Sequence, residues 1–499
     1  MATATREQFF QTMEEQGIAL TYDDVRMRTR SGSSGPLPEV INIRSKFSEN
    51  VELKVPLVSA AMDTVTESNM AIEMAKLGGI GVIHAALSIN EQFTEVRRVK
   101  KASHSVIDEP ISVRDSDTLE SVKKMCAEKR FNFSTFTVID ADGKFKGVLT
   151  GKDFEYPESL TVSVGEAMTS VEEDNFSSAP VGTTLEEAYA VMQKGKINTL
   201  PLINEDGGVG GLYLWSDVKR NVRDAEAYNV DHNRQLRVAA AVSTGEDALE
   251  RVEALSRYAD VIVLDTADGD SYYVFKTLKA IKEKFPDLDV VVGNISDGAS
   301  ALELAEAGAN GIKVGQGGGS ICSTRPETGI GMPQVTAVYD CMNALREKYP
   351  HIPVCADGGI KDHGDIPIAI GVGAHSVMMG RVLAGTKEAP GDVLVRKDGT
   401  RYKTYRGMGS ASALRDNEAS RERYSANGGI FLPEGVEAYV PYEGDLKNVL
   451  GLCVLALRKG MRYVKSPDLE YHRNHTKFFR ITGSGLRESH PHDVEIIKQ

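Results

Sequence analysis

Val261-Ile262-Val263-Leu264-Asp265, an amphipathic run over 273–284, and Val290-Val291-Val292-Gly293-Asn294 together decide the fold. The outer pieces are short β-branched runs ending in a polar residue, and the middle piece has helical periodicity. Strand, helix, strand in that order predicts parallel neighbours with the helix packed outside them. Similar apolar runs recur at 55–62, 80–84, 236–243, 311–315, 352–357 and 376–380, with further helical stretches at 245–258 and 298–307. Eight such units predict an α/β fold, a (β/α)8 TIM barrel, with its active site at the C-terminal ends of the strands. The residues at those ends include Met62, Asp265, Asn294, Gly315, Asp357 and Gly380. An open doubly wound sheet is the competing fold, but no Gly-x-Gly-x-x-Gly follows a first strand.

The second and third runs lie too far apart for one connecting helix, and an internal repeat fills the gap. Thr118-Leu119-Glu120-Ser121-Val122, Phe136-Thr137-Val138-Ile139-Asp140 and Gly147-Val148-Leu149-Thr150-Gly151-Lys152-Asp153 form one copy. Thr184-Leu185-Glu186-Glu187-Ala188, Leu200-Pro201-Leu202-Ile203-Asn204 and Gly211-Leu212-Tyr213-Leu214-Trp215-Ser216-Asp217 form the other. Each copy reads helix, strand, turn, strand, helix. The pair resembles a tandem CBS (Bateman) domain, whose Thr-x-x-Asp binds a nucleotide ribose. Thr150 and Asp153 match that pattern, whereas Leu214 stands where the second threonine would be, so the resemblance implies one competent nucleotide site. The expected organisation is 1–104 as the first part of the barrel, 105–225 as the inserted CBS pair and 226–499 as the rest.

Composition is that of a globular protein: 499 residues, 41% hydrophobic and 26% charged. A net charge of -13 argues against a nucleic-acid partner, which calls for a basic face. Neither a signal segment nor a long uncharged apolar run is seen, so no membrane span is expected. Five cysteines, odd in number and without a CxxC pair, suit reduced thiols in the cytoplasm.

One of those cysteines sits in Gly317-Gly318-Gly319-Ser320-Ile321-Cys322-Ser323-Thr324-Arg325. Glycines let backbone N–H groups converge on an anion such as a phosphate. A thiol at the edge of that nest becomes a nucleophile if its pKa falls. A tight turn carrying an inert cysteine is the competing reading.

Several segments, in order over nearly the whole chain, resemble the IMP dehydrogenase / GMP reductase family, and within it the dehydrogenases. They are Val58-Ser59-Ala60-Ala61-Met62-Asp63-Thr64-Val65-Thr66-Glu67, the Cys322 loop, Ala356-Asp357-Gly358-Gly359-Ile360, Val377-Met378-Met379-Gly380, Tyr405-Arg406-Gly407-Met408-Gly409-Ser410 and Glu488-Ser489-His490. The resemblance implies oxidation of IMP to XMP by NAD+. Cys322 would add to purine C2, hydride would leave to the nicotinamide, and water would hydrolyse the thioimidate. It further implies that Ser320, Gly380 and Tyr405 hold the 5′-phosphate beside Gly358 and Gly359. Asp357 would accept the ribose hydroxyls, Gly407, Met408 and Gly409 would face the base, and Glu434 would lie near N1. Asp265, with Asn294 and Gly315 on neighbouring strand ends, would receive the cofactor.

For hydrolysis the resemblance points to Arg423 and Tyr424, in a polar insertion that reads as a flap. A guanidinium stays protonated, so a relay through Thr324 and Glu434 competes for the role of water activator. Ser425, which follows the dyad, stands where many members carry an aromatic. The reductase has no hydrolytic step and needs no such flap. A lysine implicated in its ammonia chemistry is replaced here by Ala85. A third reading is a nucleotide sensor whose barrel has lost catalysis, against which the set Cys322, Thr324, Asp357 and Glu434 argues.

The resemblance also implies K+ on carbonyls of Gly317, Gly319 and Cys322, completed by Glu488, Ser489 and His490 of a neighbouring subunit. Such a site implies a homotetramer, which CBS pairs can stack into an octamer. Hard cations suit carbonyl oxygens.

Overall fold

The computed structural model describes residues 5–30, 39–102, 106–107, 110–129, 135–155, 159–173, 176–224, 226–424 and 432–495. Ser425 lies outside them. The chain divides into two compact units, Met1–Lys101 with Ala227–Gln499, and Ala102–Glu226.

In the first unit eight strands close a parallel barrel: β1 (Leu57–Ser59), β2 (Ile80–Ile83), β3 (Ala239–Val242), β4 (Val261–Asp265), β5 (Asp289–Ile295), β6 (Gly311–Val314), β7 (Val354–Asp357) and β8 (Ser376–Met379). Closure comes from β8 pairing with β1, Val377 opposite Leu57 and Met379 opposite Ser59. The open-sheet alternative is thereby excluded. Every apolar run read from the sequence contributes its strand. Helices α1 (Ser68–Lys76), α2 (Ile89–Lys101), α3 (Ala248–Leu255), α4 (Tyr272–Lys284), α5 (Gly298–Glu306), α6 (Gln334–Lys348), α7 (Asp365–Val372) and α8 (Leu446–Tyr463) belong to the same unit.

The strands read as unbroken apolar runs because both of their faces are covered. All five residues of β4 are buried. Val58, Val82, Ala239, Ala241, Val261, Val263 and Val291 fill the barrel, and Phe47 closes its N-terminal end. Gly311 packs closely there, and a Cβ on it would stand 3.0 Å from the Phe47 carbonyl oxygen.

Behind α7, His472 is fully buried, with Nε2 2.9 Å from the Pro367 carbonyl and Nδ1 3.1 Å from the Ser466 hydroxyl. Burial lowers its pKa from 6.5 to about 4. The unfolded chain therefore binds the extra proton first, and the stability His472 contributes above pH 6.5 is lost as pH falls towards 4. In His472→Gln the acid limb of the stability–pH curve should be shallower across that window, measured by urea denaturation at stepped pH. An unchanged limb would refute it.

The second unit turns the sequence repeat into two similar four-stranded sheets. One has the order Thr169–Ser170, Phe145–Leu149, Phe136–Ile139, Ser112–Arg114, and the other Ala179–Pro180, Thr199–Ile203, Val209–Leu214, Val106–Ile107. Each has its own apolar cluster, around Phe136 and Leu149 in the first and Leu200 and Tyr213 in the second. The copies differ at one expected helix: Trp215–Asp224 is α-helical, but its counterpart is a single 3-10 turn, Gly151–Phe154. In the sequence a proline, Pro157, follows the first copy's turn and has no equivalent in the second copy, and proline disfavours helix in the residue before it. Thr150 and Asp153 close that turn, the Thr150 amide donating to the Asp153 carboxylate at 2.6 Å. Among the described residues no helix is long and apolar enough to cross a membrane.

Candidate active site

The C-terminal ends of the barrel strands open into one cleft. Cys322, Thr324, Arg423, Tyr424, Asp265, Asn294, Gly315, Gly317, Gly319, Asp357, Gly358, Gly380, Tyr405, Gly407, Met408 and Glu434 all line it. Ser320, Gly359 and Gly409 stand behind or beside that lining. A Cβ on Gly359 would meet the Tyr22 ring at 3.1 Å, and one on Gly409 would meet the Tyr424 ring at 2.7 Å. Glu488, Ser489 and His490 are exposed at the end of a C-terminal helical turn, and none of the described hydrogen bonds or ion pairs joins them to the Cys322 loop of their own chain.

The Cys322 loop is a rigid platform because other backbone segments are stitched to it. The Ser323 amide donates to the Glu434 carbonyl and the Val436 amide to the Ile321 carbonyl, both at 2.9 Å. Segment 434–436 in turn joins 407–409, through Glu434 N–H to Gly409 O at 2.9 Å and Gly407 N–H to Val436 O at 3.0 Å. Arg406 anchors this layer to the turn after β1 by an ion pair to Asp63 at 2.6 Å. On the platform the Cys322 Sγ lies 3.1 Å from the Thr324 hydroxyl.

Opposite the platform, the turn after β7 turns back sharply. Gly358 and Gly359 adopt φ of +90° and +80°, values that favour glycine, and a Cβ on Gly358 would lie 3.5 Å from the Gly319 amide nitrogen. Two glycine turns with amides so close form a cradle for an anion. The buried Tyr405 phenol closes one side, and a Cβ on Gly380 would come within 2.7 Å of it. Burial pushes that phenol up to about 12, so it remains a hydrogen-bond donor at neutral pH.

The floor of the cleft holds a charge network the motif reading missed. Lys313, 1% exposed, projects from β6 to Asp265 at 2.8 Å, to Asp357 at 3.0 Å and to the Asn294 side-chain oxygen. The Asn294 amide donates to Asp357 at 2.8 Å and to the Gly315 carbonyl at 2.7 Å. Arg423 pairs with the remaining oxygen of Asp265. Two cations and two carboxylates thus compensate one another beneath the site. The available signal was a lone charged residue in a strand otherwise buried on both faces.

Arg423 and Tyr424 are held at the mouth by helix Glu418–Arg423. The Ala267 amide donates to the Arg423 carbonyl at 3.1 Å, while the Tyr424 ring covers Gly409. Burial raises the Tyr424 phenol, an effect its neighbour Arg423 opposes. All five cysteines are free thiols.

Residues 19–492 match the IMP dehydrogenase / GMP reductase domain. The inosine-5′-monophosphate dehydrogenase of Halalkalibacterium halodurans is 41% identical over 486 residues, covering 97% of this chain and 98% of the relative. That of Aquifex aeolicus is 41% identical over 484 residues, covering 96% of each chain. Among solved structures, a variant of the GMP reductase of Trypanosoma brucei in complex with guanosine 5′-monophosphate superposes with a TM-score of 0.84 at 34% identity, covering 97% of this chain and all of that one.

Proposed function

We propose, for a chain that belongs to the IMP dehydrogenase / GMP reductase family, that it oxidises IMP to XMP with NAD+ through a covalent bond to Cys322. The observation that carries this reading is the thiol on its stitched platform, beside Thr324, with the Arg423–Tyr424 pair closed over the same cleft. The curated relatives, dehydrogenases at about 40% identity over nearly the whole chain, support the same direction of chemistry. A reductase would need no hydrolytic flap, which weighs against the activity named for the solved neighbour.

The 5′-phosphate would sit in the cradle of Gly358, Gly359, Ser320 and Gly380, with Tyr405 donating to it. Asp357, paired with Lys313, would accept from the ribose hydroxyls, and Gly407, Met408, Gly409 and Glu434 would hold the base over Cys322. Thiolate attack at C2 makes the S–C2 bond, and loss of hydride leaves a thioimidate. A bound nicotinamide supplies the hydride acceptor. Water then adds to C2, the S–C2 bond breaks, and XMP and one proton leave. Asp265 suits the cofactor side because its carboxylate lines the cleft beside the flap residue Arg423, with Asn294 and Gly315 on the neighbouring strand ends. Since Arg423 pairs with Asp265, the closed flap and the cofactor's ribose would use that carboxylate in turn.

Other parts of the reading follow from resemblance. K+ would rest on the carbonyls of Gly317, Gly319 and Cys322, where it would steady the loop, and the exposed Glu488, Ser489 and His490 of a neighbouring subunit would complete the site in a homotetramer. The two similar sheets of the inserted unit support a CBS pair that takes a regulatory nucleotide at Thr150 and Asp153 and can pair tetramers into octamers. Five free thiols suit a cytoplasmic setting.

Purified protein with IMP, NAD+ and K+ should produce NADH absorbance; turnover of GMP with NADPH, and none of IMP, would reverse the assignment to the reductase. Arg423→Ala should keep the first-turnover burst of NADH yet lower the steady rate roughly 100-fold or more. Stopped-flow absorbance reads both phases, and loss of the burst would place Arg423 before hydride transfer instead.

A further inference from the structure

Arg423 and Tyr424 account for only part of the way the flap is held. The residue before them, Glu422, reaches a different strand end: its carboxylate accepts from the hydroxyl of Ser243, in the turn after β3. Gly245 leaves the space it occupies, since any Cβ there would overlap the Glu422 carboxylate. The Gly245 amide lies 3.4 Å from the same Ser243 oxygen, so the turn is ordered around the contact. Consecutive flap residues are therefore fastened to consecutive strand ends, Glu422 to β3 and Arg423 to β4.

We propose that Glu422 is a positioning residue of the hydrolytic step, latching the flap to Ser243 so that Arg423 and Tyr424 settle over the Cys322 adduct. The physical argument is one of register. Arg423 is a long side chain whose charge can pair with Asp265 from many backbone positions. The Glu422 anchor, one residue away and half-buried in a glycine-bounded niche, removes that freedom. A charge-assisted hydrogen bond is the stronger kind, and the buried Ser243 hydroxyl that donates it would lose its acceptor. Because a bound cofactor and the flap share Asp265, the latch also sets how readily the flap closes once NADH has left. This role rests on the proposed dehydrogenase reaction, but the latch itself does not, and the two can be tested apart.

The full-length chain carrying Glu422→Ala, Ser243→Ala or Glu422→Gln is the material for the test. Hydrogen exchange of the ligand-free proteins reads the latch directly: protection of amides in 418–424 should fall in the two alanine variants and be largely kept in Glu422→Gln, whose amide oxygen still accepts from Ser243. Equal protection in all of them would overturn the latch, whatever the chain catalyses. Kinetics reads the role. With IMP and NAD+, both alanine variants should keep the rate of the NADH burst while steady turnover falls roughly 10-fold, the size expected for one lost charged hydrogen bond. The Cys322 adduct should accumulate in quenched samples, and Glu422→Gln should restore turnover. A burst that slows in step with turnover, or a steady rate that does not change, would overturn the positioning role. Ser243→Ala probes the contact from the barrel side, so a poorly folded Glu422→Ala does not decide the matter. A wild-type chain silent with IMP would instead remove the reaction, leaving the exchange result to judge the latch.

Discussion

Cys322→Ala should lower turnover by about 10^4-fold or more while IMP still binds, an expectation that follows from removing a nucleophile whose work no neighbour can do. Hydride cannot leave the flat purine carbon until something has added to it, and among the described residues lining the cleft the proposed nucleophile, Cys322, is the one thiol. Thr324 is 3.1 Å away but carries a hydroxyl, a far weaker nucleophile than a thiolate at neutral pH. The thiol in the barrel wall, Cys355 on β7, is wholly buried, and burial pushes it up to about 12, so it stays protonated. Binding should survive because most groups proposed to hold IMP lie outside the Cys322 loop, in the glycine turn after β7, Gly380, Tyr405 and Asp357, and alanine keeps the backbone donors of the loop itself. Isothermal titration with IMP should give an affinity within a few-fold of the unmodified protein, and NADH absorbance should stay at background. Turnover above a hundredth of the original rate would refute the covalent route. Loss of IMP binding along with activity would show that the thiol shapes the pocket as well as reacting.

The barrel was legible because its strands announce themselves twice, as β-branched runs and as positions that end in functional residues. β4 and β5 show this best, since no alternation is needed where both faces are covered. The inserted repeat was legible for a related reason: two copies of one pattern, each with its own core, fold into similar sheets. The turn Gly151–Phe154 was not, because a proline six residues beyond Gly151 outweighs the helical match with the second copy. Within the cleft, lining residues that sit in motifs were legible in the sequence, and contacts made through tertiary pairing were not. Lys313 and the Glu422–Ser243 contact link segments 19 to 179 residues distant from their partners, and no local spacing encodes such a match. Gly409 was read as a contact to the base, yet the structure also makes it the floor beneath Tyr424.

Lys313 leads to the second large effect. Lys313→Met should lower the stability of the barrel unit by about 3–5 kcal/mol, the usual cost of stranding a buried charge by deleting its partner. Methionine matches the length of the lysine stem, so the loss is one of charge rather than volume. Asp265, 7% exposed, and Asp357 would then face each other across the floor with Arg423 as the remaining cation. The double variant Lys313→Met/Asp265→Asn separates this from simple misfolding. It removes one positive and one negative group, leaving Asp357 and Arg423 to balance, and should regain at least half of the lost stability in urea denaturation. Turnover should not return with it, because the carboxylate proposed for the cofactor's ribose is gone. Recovery of stability without activity would show that the network beneath the cleft serves the reaction at a structural cost the fold offsets with Lys313. If the single variant were as stable as the original, the two carboxylates would have to be accommodated by Arg423 and Asn294 alone, and the role given to Lys313 would fall.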